Sequence, residues 1–439
     1  MAPPSESTLA APLPPADRLP NPADAAASRD WGAHASLALL LALGVVCVMD
    51  AMIIASLLTP IKNEFGFSDE QIGRLSSLFT LAGIVGAPVF GFLANRLGRK
   101  VVLLAGVLLW SVAAAATGLA EGFAGLLLWR IVTGFGEAAY NSLAPSWLAD
   151  LYRPKWRNLV FSLYMLKNKI GAALALAVGG WVAARYGWRA AFFVAGVPGI
   201  ALFLALLWVR EPELGGSEAR AADGKPVERP DFRASLAVFR SPGYVLHGVA
   251  LVFFFTAMSV QMWIPAFLHR VHGLANQQAS AFLAQTLLFT LPAGLIGGYL
   301  SSLFLRQYRW GFPAFLSSTS VIAAAAFTLA YTTADLALAQ FLIVAAITSF
   351  GLSAGTLTTL VVETVPPRLR NSAAAFSVVL TSGVAGVIGP ELVGVLSDRY
   401  SLATAVLVAP ACYLAAGLVW LGLAVAIKLS PARVLPTGS

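Results

Sequence analysis

The chain has 439 residues, of which 58% are hydrophobic and only 11% charged, with a mean hydropathy of +0.77. Soluble domains carry about 25% charged residues, so this much apolar surface points to lipid as the solvent. The formal charge of +8 does not indicate nucleic acid, because the basic residues sit in the short gaps between apolar runs and form no patch.

Residues 1–34, rich in Pro, Ala, Ser and Asp, are predicted to form a disordered cytoplasmic tail; they lack the basic start and short apolar core of a secretory signal. Twelve apolar segments follow, at about 35–60, 69–94, 100–120, 123–150, 157–184, 188–209, 242–267, 277–304, 310–331, 335–363, 371–397 and 402–428. A helix needs roughly 20 apolar residues to cross a bilayer. Helices are expected because a spanning segment must satisfy its backbone internally, and no short alternating strands of a barrel are visible. The hydrophilic stretch EPELGGSEARAADGKPVERPDF lies in the longest gap, 210–241, and is predicted to be a flexible cytoplasmic linker. It divides the chain into six-helix bundles at 35–209 and 242–428, with a cytoplasmic tail at 429–439.

Twelve crossings put both termini on one side. Most basic residues between segments fall on that side, and only Lys62, Arg74, Arg185, Arg189, Arg270 and Arg399 fall on the other. The positive-inside rule therefore predicts cytoplasmic termini.

The two halves resemble each other. YRPKWRNLVFSLYMLKNKIGAALALAVGGWVAARY (152–186) follows the pattern of PPRLRNSAAAFSVVLTSGVAGVIGPELVGVLSDRY (366–400), and GFLANRLGRK (91–100) that of GYLSSLFLRQ (298–307). Parallel repeats about a cytoplasmic linker imply alternating access, with a site between the halves.

GFLANRLGRK also resembles the loop motif between the second and third helices of the major facilitator superfamily, with Gly91, Arg96, Gly98, Arg99 and Lys100 matching. Asn95 stands where that family carries an aspartate that helps to latch the cytoplasmic side. The resemblance thus implies a conformational gate at Gly91, Asn95, Arg96, Gly98, Arg99 and Lys100, with Asp150 offered as partner to Arg96 or Arg99. Arg130, Gly134 and Gly136 match the helix-four motif RxxxGxG, and GVAGVIGPELVG (383–394) resembles the Gly-Pro antiporter-type motif. GFGEAAYNSLAPSWLADLY, GWRAAFFVAGVPG and VPPRLRNSA together resemble the Spinster-type branch. That branch usually has Asp-Arg in its first helix, whereas this chain has Asp50-Ala51. The implied fold class is an all-α membrane protein of the major facilitator fold, with two pseudo-symmetric bundles.

Charges inside spanning segments are costly and mark function. Arg130 and Glu137 are seven residues apart, so they share one helix face about 10.5 Å apart along the axis. They are predicted to line one cavity at two depths, with Asp50 opposite, and to couple transport to protons. The alternative is a static ion pair between the first and fourth helices. Lys167 and Lys169 are about 200° apart on the fifth helix and cannot face the cavity equally. Lys167 is expected in the cavity, suited to an anionic head group, and Lys169 against a neighbouring helix or snorkelling; the alternative is a later helix start that leaves both near the interface. Tyr140, Asn141 and Ser142 are offered as cavity polar groups or packing residues. Glu363 is expected at the interface, and Glu391 either as a second protonation site lining the cavity or as a packing residue.

Cys47 and Cys412 suggest no disulfide framework, and His34, His247, His269 and His272 show no metal spacing. Nothing resembles a phosphate-binding loop or a catalytic triad, so neither an enzyme nor a cofactor is expected. The expected protein is a monomeric proton-coupled secondary transporter of a lysolipid-like or other amphipathic anion in a bacterial inner membrane. Its expected partners are substrate, protons and membrane lipid. A drug exporter, an organic-acid or sugar-acid transporter, and a non-transporting receptor are the alternatives.

Overall fold

The structure, a computed structural model, describes residues 22–152, 154–212, 236–308, 310–366 and 369–430. Among these residues the regular elements are all helical. The first half comprises α1 (Pro22–Phe65), α2 (Asp69–Leu97), α3 (Arg99–Thr117), α4 (Phe123–Leu151), α5 (Pro154–Tyr186) and α6 (Trp188–Trp208). The second opens with a 3-10 turn, Leu236–Arg240, and continues through α7 (Pro242–Ser259), α8 (Ile264–His272), α9 (Asn276–Phe289), α10 (Ala293–Gln307) and α11 (Gly311–Thr332). It ends with α12 (Leu336–Gly351), α13 (Ala354–Glu363), α14 (Arg370–Val378), α15 (Gly386–Arg399), α16 (Leu402–Ala405) and α17 (Val408–Leu429).

The expected tail at 1–34 lies outside the described residues as far as position 21. From Pro22 the chain is already helical, in a stretch that opens on a proline compatible with a helix start and runs through several alanines. Most of the linker, 213–235, and the last nine residues also lie outside the described residues.

Local chemistry sets several boundaries. Ser68 caps α2 by accepting from the Gln71 amide, while the Gln71 side chain accepts from the Ser68 amide. Gly98 separates α2 from α3 at φ 89°, a left-handed-side conformation that other residues resist. Pro292 lies in the break between α9 and α10, which bend by 42°. A π-helical turn, Val379–Ala385, joins α14 to α15 within the glycine-rich stretch.

Ten described helical spans are long and apolar enough to cross a membrane, or eleven if the bent α9–α10 pair is one span. The 29-residue α4 is not among them. Its length suffices; Arg130 and Glu137 lower its hydropathy.

Within the first half, α2 lies along α4, α1 along α5, and α3 packs on α4 and α6. In the second, α11 packs on α17 and α12, and α7 on α17. The halves meet along two seams, α2 with α15 and α5 with α9. Hydrogen bonds join the halves from the end opposite the linker to the level of Ser77 and Lys169.

Candidate functional site

The helix-four glycines first make room for the site. A Cβ on Gly134 would collide with the Phe79 carbonyl of α2, and one on Gly136 would stand 2.8 Å from the Trp110 backbone nitrogen of α3. These close approaches seat α4 against α2 and α3 and aim its charged face at α1.

On that face Arg130 is fully buried, and so is Asp50 of α1. One guanidinium nitrogen of Arg130 donates to Asp50 Oδ2 and to the Asp50 carbonyl, both at 3.3 Å, and the other donates to the Ala51 carbonyl at 3.4 Å. These distances exceed the 2.7–2.9 Å typical of a strong charge-assisted bond. The guanidinium is thus shared among acceptors rather than locked onto one carboxylate. The Phe79 ring covers its face, with the centroid 4.1 Å away. Glu137, about two turns further along α4, is buried beside Asp50 and Cys47. Arg130 Nε, Asp50 Oδ1 and Glu137 Oε1 are buried without a hydrogen-bond partner among the described residues. Two carboxyls and one guanidinium therefore share a dry space between α1 and α4.

Lys167 forms a second level of the same seam. Its ammonium donates to Tyr164 Oη at 3.0 Å and to Asn141 Oδ1 at 3.4 Å. It also sits 4.3 Å from the Tyr164 ring centroid and 4.6 Å from that of Tyr140. Tyr140 is anchored through its hydroxyl, which donates to the Leu40 carbonyl at 2.7 Å. The Asn141 amide approaches Cys47 Sγ at 3.9 Å, so a polar line runs from Asp50 through Glu137, Cys47 and Asn141 to Lys167.

This arrangement differs from the expected open cavity wall. Arg130, Glu137, Tyr140 and Lys167 are buried within the first half, and Asn141 is the exposed edge of their seam. The two lysines face different neighbours. Lys167 is enclosed by α1, α4 and α5, while Lys169 crosses to the second half and donates to Thr290 Oγ1 at 3.2 Å. Helix rotation explains this: Gly44 of α1 lies directly under Lys167 and Tyr140, so α1 covers that face of α5. Glu391 stands apart from the cluster. It accepts from Arg74 Nε at 3.2 Å on the α2–α15 seam, toward the far end.

The motif around Gly98 forms a network internal to the first half. Arg99 is buried and pairs with Asp150 of α4. It also donates to Glu211 Oε1 at 3.1 Å and to the Pro212 carbonyl at 2.7 Å. Lys100 donates through its backbone to Glu211 and through its ammonium to the Leu207 carbonyl at 2.8 Å. Of the two arginines offered to Asp150, the pair forms with Arg99; Arg96 is exposed and lies over the Phe92 ring at 4.5 Å. Gly91 and Asn95 sit on the last turns of α2, Asn95 exposed.

Sequence reading missed the opposing network at the far end. Asp69 is buried and accepts from Lys62, from Arg270 at 2.8 Å and from Ser397, the last two contributed by the second half. Asp398 accepts from the backbone amides of Asp69 and Glu70 at 2.9 and 2.7 Å. A second-half carboxylate thereby caps the N-terminus of α2, where the helix dipole favours negative charge. The available signal was the SDEQ capping box at 68–71, which marks where α2 starts.

The sequence profile of the Major Facilitator Superfamily matches residues 39–390. The chain belongs to this family of membrane transporters, and within it has the character of the Spinster type. It is 29% identical over 385 residues to protein spinster homolog 1 of Homo sapiens, covering 83% of this chain and 72% of that one. It is 24% identical to protein spinster of Drosophila melanogaster, covering 88% and 65%. Over 239 residues it is 31% identical to the sphingosine-1-phosphate transporter of Mus musculus, covering 53% and 43%. Among solved structures, a bacterial homolog of the human lysosomal transporter Spinster, inward-facing and unoccupied, superposes with a TM-score of 0.77 at 23% identity, covering 91% and 96%. A D-xylose–proton symporter superposes with a TM-score of 0.70 at 16% identity, covering 88% and 97%. At these identities the structural likenesses speak for the fold alone.

Proposed function

We propose that this transporter is driven by protons and carries an amphipathic anion of the lysolipid kind across a bacterial cytoplasmic membrane, with both termini in the cytoplasm. The observation that carries the reading is the cluster of Asp50, Glu137 and Arg130. Two carboxyls face one guanidinium in a dry seam, so the cluster is neutral with one bound proton and negative without it. Burial makes the uncompensated charge costly. Proton loss therefore draws the loosely shared guanidinium toward the carboxylates, and proton gain releases it. Because Arg130 joins α4 to α1 and stacks on α2, that shift acts on three helices that frame the opening between the halves.

With cytoplasmic termini, the linker end is the cytoplasmic end, and the hydrogen bonds joining the halves at the far end support the reading of an inward-facing state. The far-end network of Asp69, Arg270 and Asp398 would then be the contact broken on opening outward. The Arg99–Asp150–Glu211 network would hold the first half together as it rocks. A phosphate-bearing lipid is the cargo named for the mouse relative, and the cationic side chains of α5 suit such a head group.

The test is uptake into proteoliposomes under an imposed pH gradient. Glu137→Gln and Asp50→Asn are each expected to abolish gradient-driven accumulation while leaving exchange of cargo across the membrane. Accumulation at the wild-type rate in both variants would sink proton coupling through this cluster.

A further inference from the structure

We propose that Lys169 and Thr290 form the seat for the head group of a single-chain amphiphile bearing a phosphate, with its tail lying along exposed apolar faces of α5 and α10. This rests on the reading of the cargo as an amphipathic anion and names the residues that would select it.

Four observations converge. First, Lys169 lies about 22 Å along α5 from its start at Pro154, at ~1.5 Å per residue, which places its charge near the middle of the span. Second, no carboxylate pairs with it among the described residues; it donates to the Thr290 hydroxyl at 3.2 Å. The other cations that bridge the halves, Arg74 and Arg270, each meet an acidic residue. An ammonium at this depth with one neutral acceptor keeps two donors for an anion.

Third, the bridge stands where the two halves part. The α5–α9 seam packs tightly at Gly180 against Ser280 and loosens to Lys169 against Thr290, after which the chain breaks and α10 bends away. Fourth, both sides of the bridge offer apolar surface. Met165 and Leu166, one turn before Lys169, are exposed, as are Leu295, Ile296 and Tyr299 beyond the break. A polar point with one net charge beside exposed apolar side chains matches one anionic head and one acyl chain. Lys167 does not compete for this role, because Tyr140 and Tyr164 enclose it.

An anion here would draw Lys169 from Thr290 or bridge the two, so occupancy would act on a polar contact between α5 and the α9–α10 break. That links head-group recognition to the seam that must move.

Equilibrium binding to the full-length protein in detergent, at a single pH and without a gradient, tests the assignment. The probes are lysophosphatidate, the monoacylglycerol of the same chain length, and inorganic phosphate. Wild-type protein is expected to bind lysophosphatidate most tightly. Lys169→Gln is expected to weaken lysophosphatidate about tenfold and monoacylglycerol by less than about twofold, while Lys169→Arg stays within about threefold of wild type. Thr290→Val is expected to weaken lysophosphatidate by about threefold with the same selectivity, and stands in for Lys169→Gln should that variant not fold. Unchanged lysophosphatidate binding in Lys169→Gln, equal loss of both lipids, absence of lysophosphatidate binding by the wild type, or inorganic phosphate binding as tightly as lysophosphatidate would each overturn it. Proton coupling is read in a different measurement, so its failure and the failure of this seat are distinguishable.

Discussion

The two halves share a fold but not a core. The first buries Asp50, Arg130, Glu137 and Lys167 among its helices. Among the described residues the second buries hydroxyls, phenols and a single imidazole, His247, but no carboxylate, lysine or arginine in its interior. Its centre is aromatic instead: Phe254 packs edge-on against Tyr413, Phe350 and Trp420, and Tyr413 stacks on Phe327. His247 is fixed between the Leu357 carbonyl at 3.1 Å and the Trp420 indole at 3.0 Å. One half buries ionisable side chains; the other offers an aromatic, close-packed interior. Evolution of a duplicated bundle does not require duplicated chemistry, and here the polar machinery sits on one side of the interface.

The sharpest way to break this contrast is to remove the cation. Arg130→Met leaves Asp50 and Glu137 buried without a positive partner, and is expected to abolish gradient-driven uptake and to destabilise the protein by about 3–5 kcal/mol unless protons neutralise the carboxyls. Arg130→Lys is expected to restore stability in part but not transport, since one ammonium cannot reach Asp50 and the Ala51 carbonyl while covering Phe79. Thermal melting and proteoliposome uptake read both effects; normal uptake in the lysine variant would show that charge alone suffices.

Close packing gives the next effect. Gly134→Ala is expected to lower Tm by several degrees, because the new methyl meets backbone of α2 that cannot yield. Gly298→Ala in the second half, with nothing within 4 Å of the added carbon, is expected to leave Tm in place. Equal melting shifts in the two variants would contradict the packing account.

The far-end network predicts a smaller change, in conformational balance. Asp69→Asn removes the charge shared by Lys62 and Arg270, and is expected to raise the accessibility of engineered cysteines on the far side. Unaltered labelling would remove this network from the account of gating. The smallest expected effect sharpens the contrast from the other half. His247→Leu leaves the Trp420 indole unpaired, and is expected to cost about 1–3 kcal/mol in stability without altering the pH dependence of uptake. A shifted pH profile would place titrating chemistry in the second half as well.

Much of the architecture was legible because lipid imposes a simple code. Long apolar runs mark helices, and the repeated glycine and arginine spacings mark two related halves. The residues of the cluster were legible too, since Arg130, Glu137 and Asp50 are conspicuous in apolar segments. Their arrangement was not. Seven residues of separation set Arg130 and Glu137 on one face, but said nothing of how Asp50 would stand between them and share both. Nor could a spacing of two decide which lysine faced the partner half: that depended on α1 covering one side of α5 at Gly44. Glu391 was equally ambiguous until Arg74, more than three hundred residues earlier, was brought beside it.

By itself, then, the sequence determined the solvent, the helices, the two halves and the set of buried charges, because each depends on local composition or on regular spacing. Only the tertiary structure decided which charges meet, that Asp69 and Asp398 close the far end, and that Lys169 rather than Lys167 crosses between the halves. Those contacts depend on helix rotation and depth, which are set by packing at glycines such as Gly134 and Gly44 and carry no local signature.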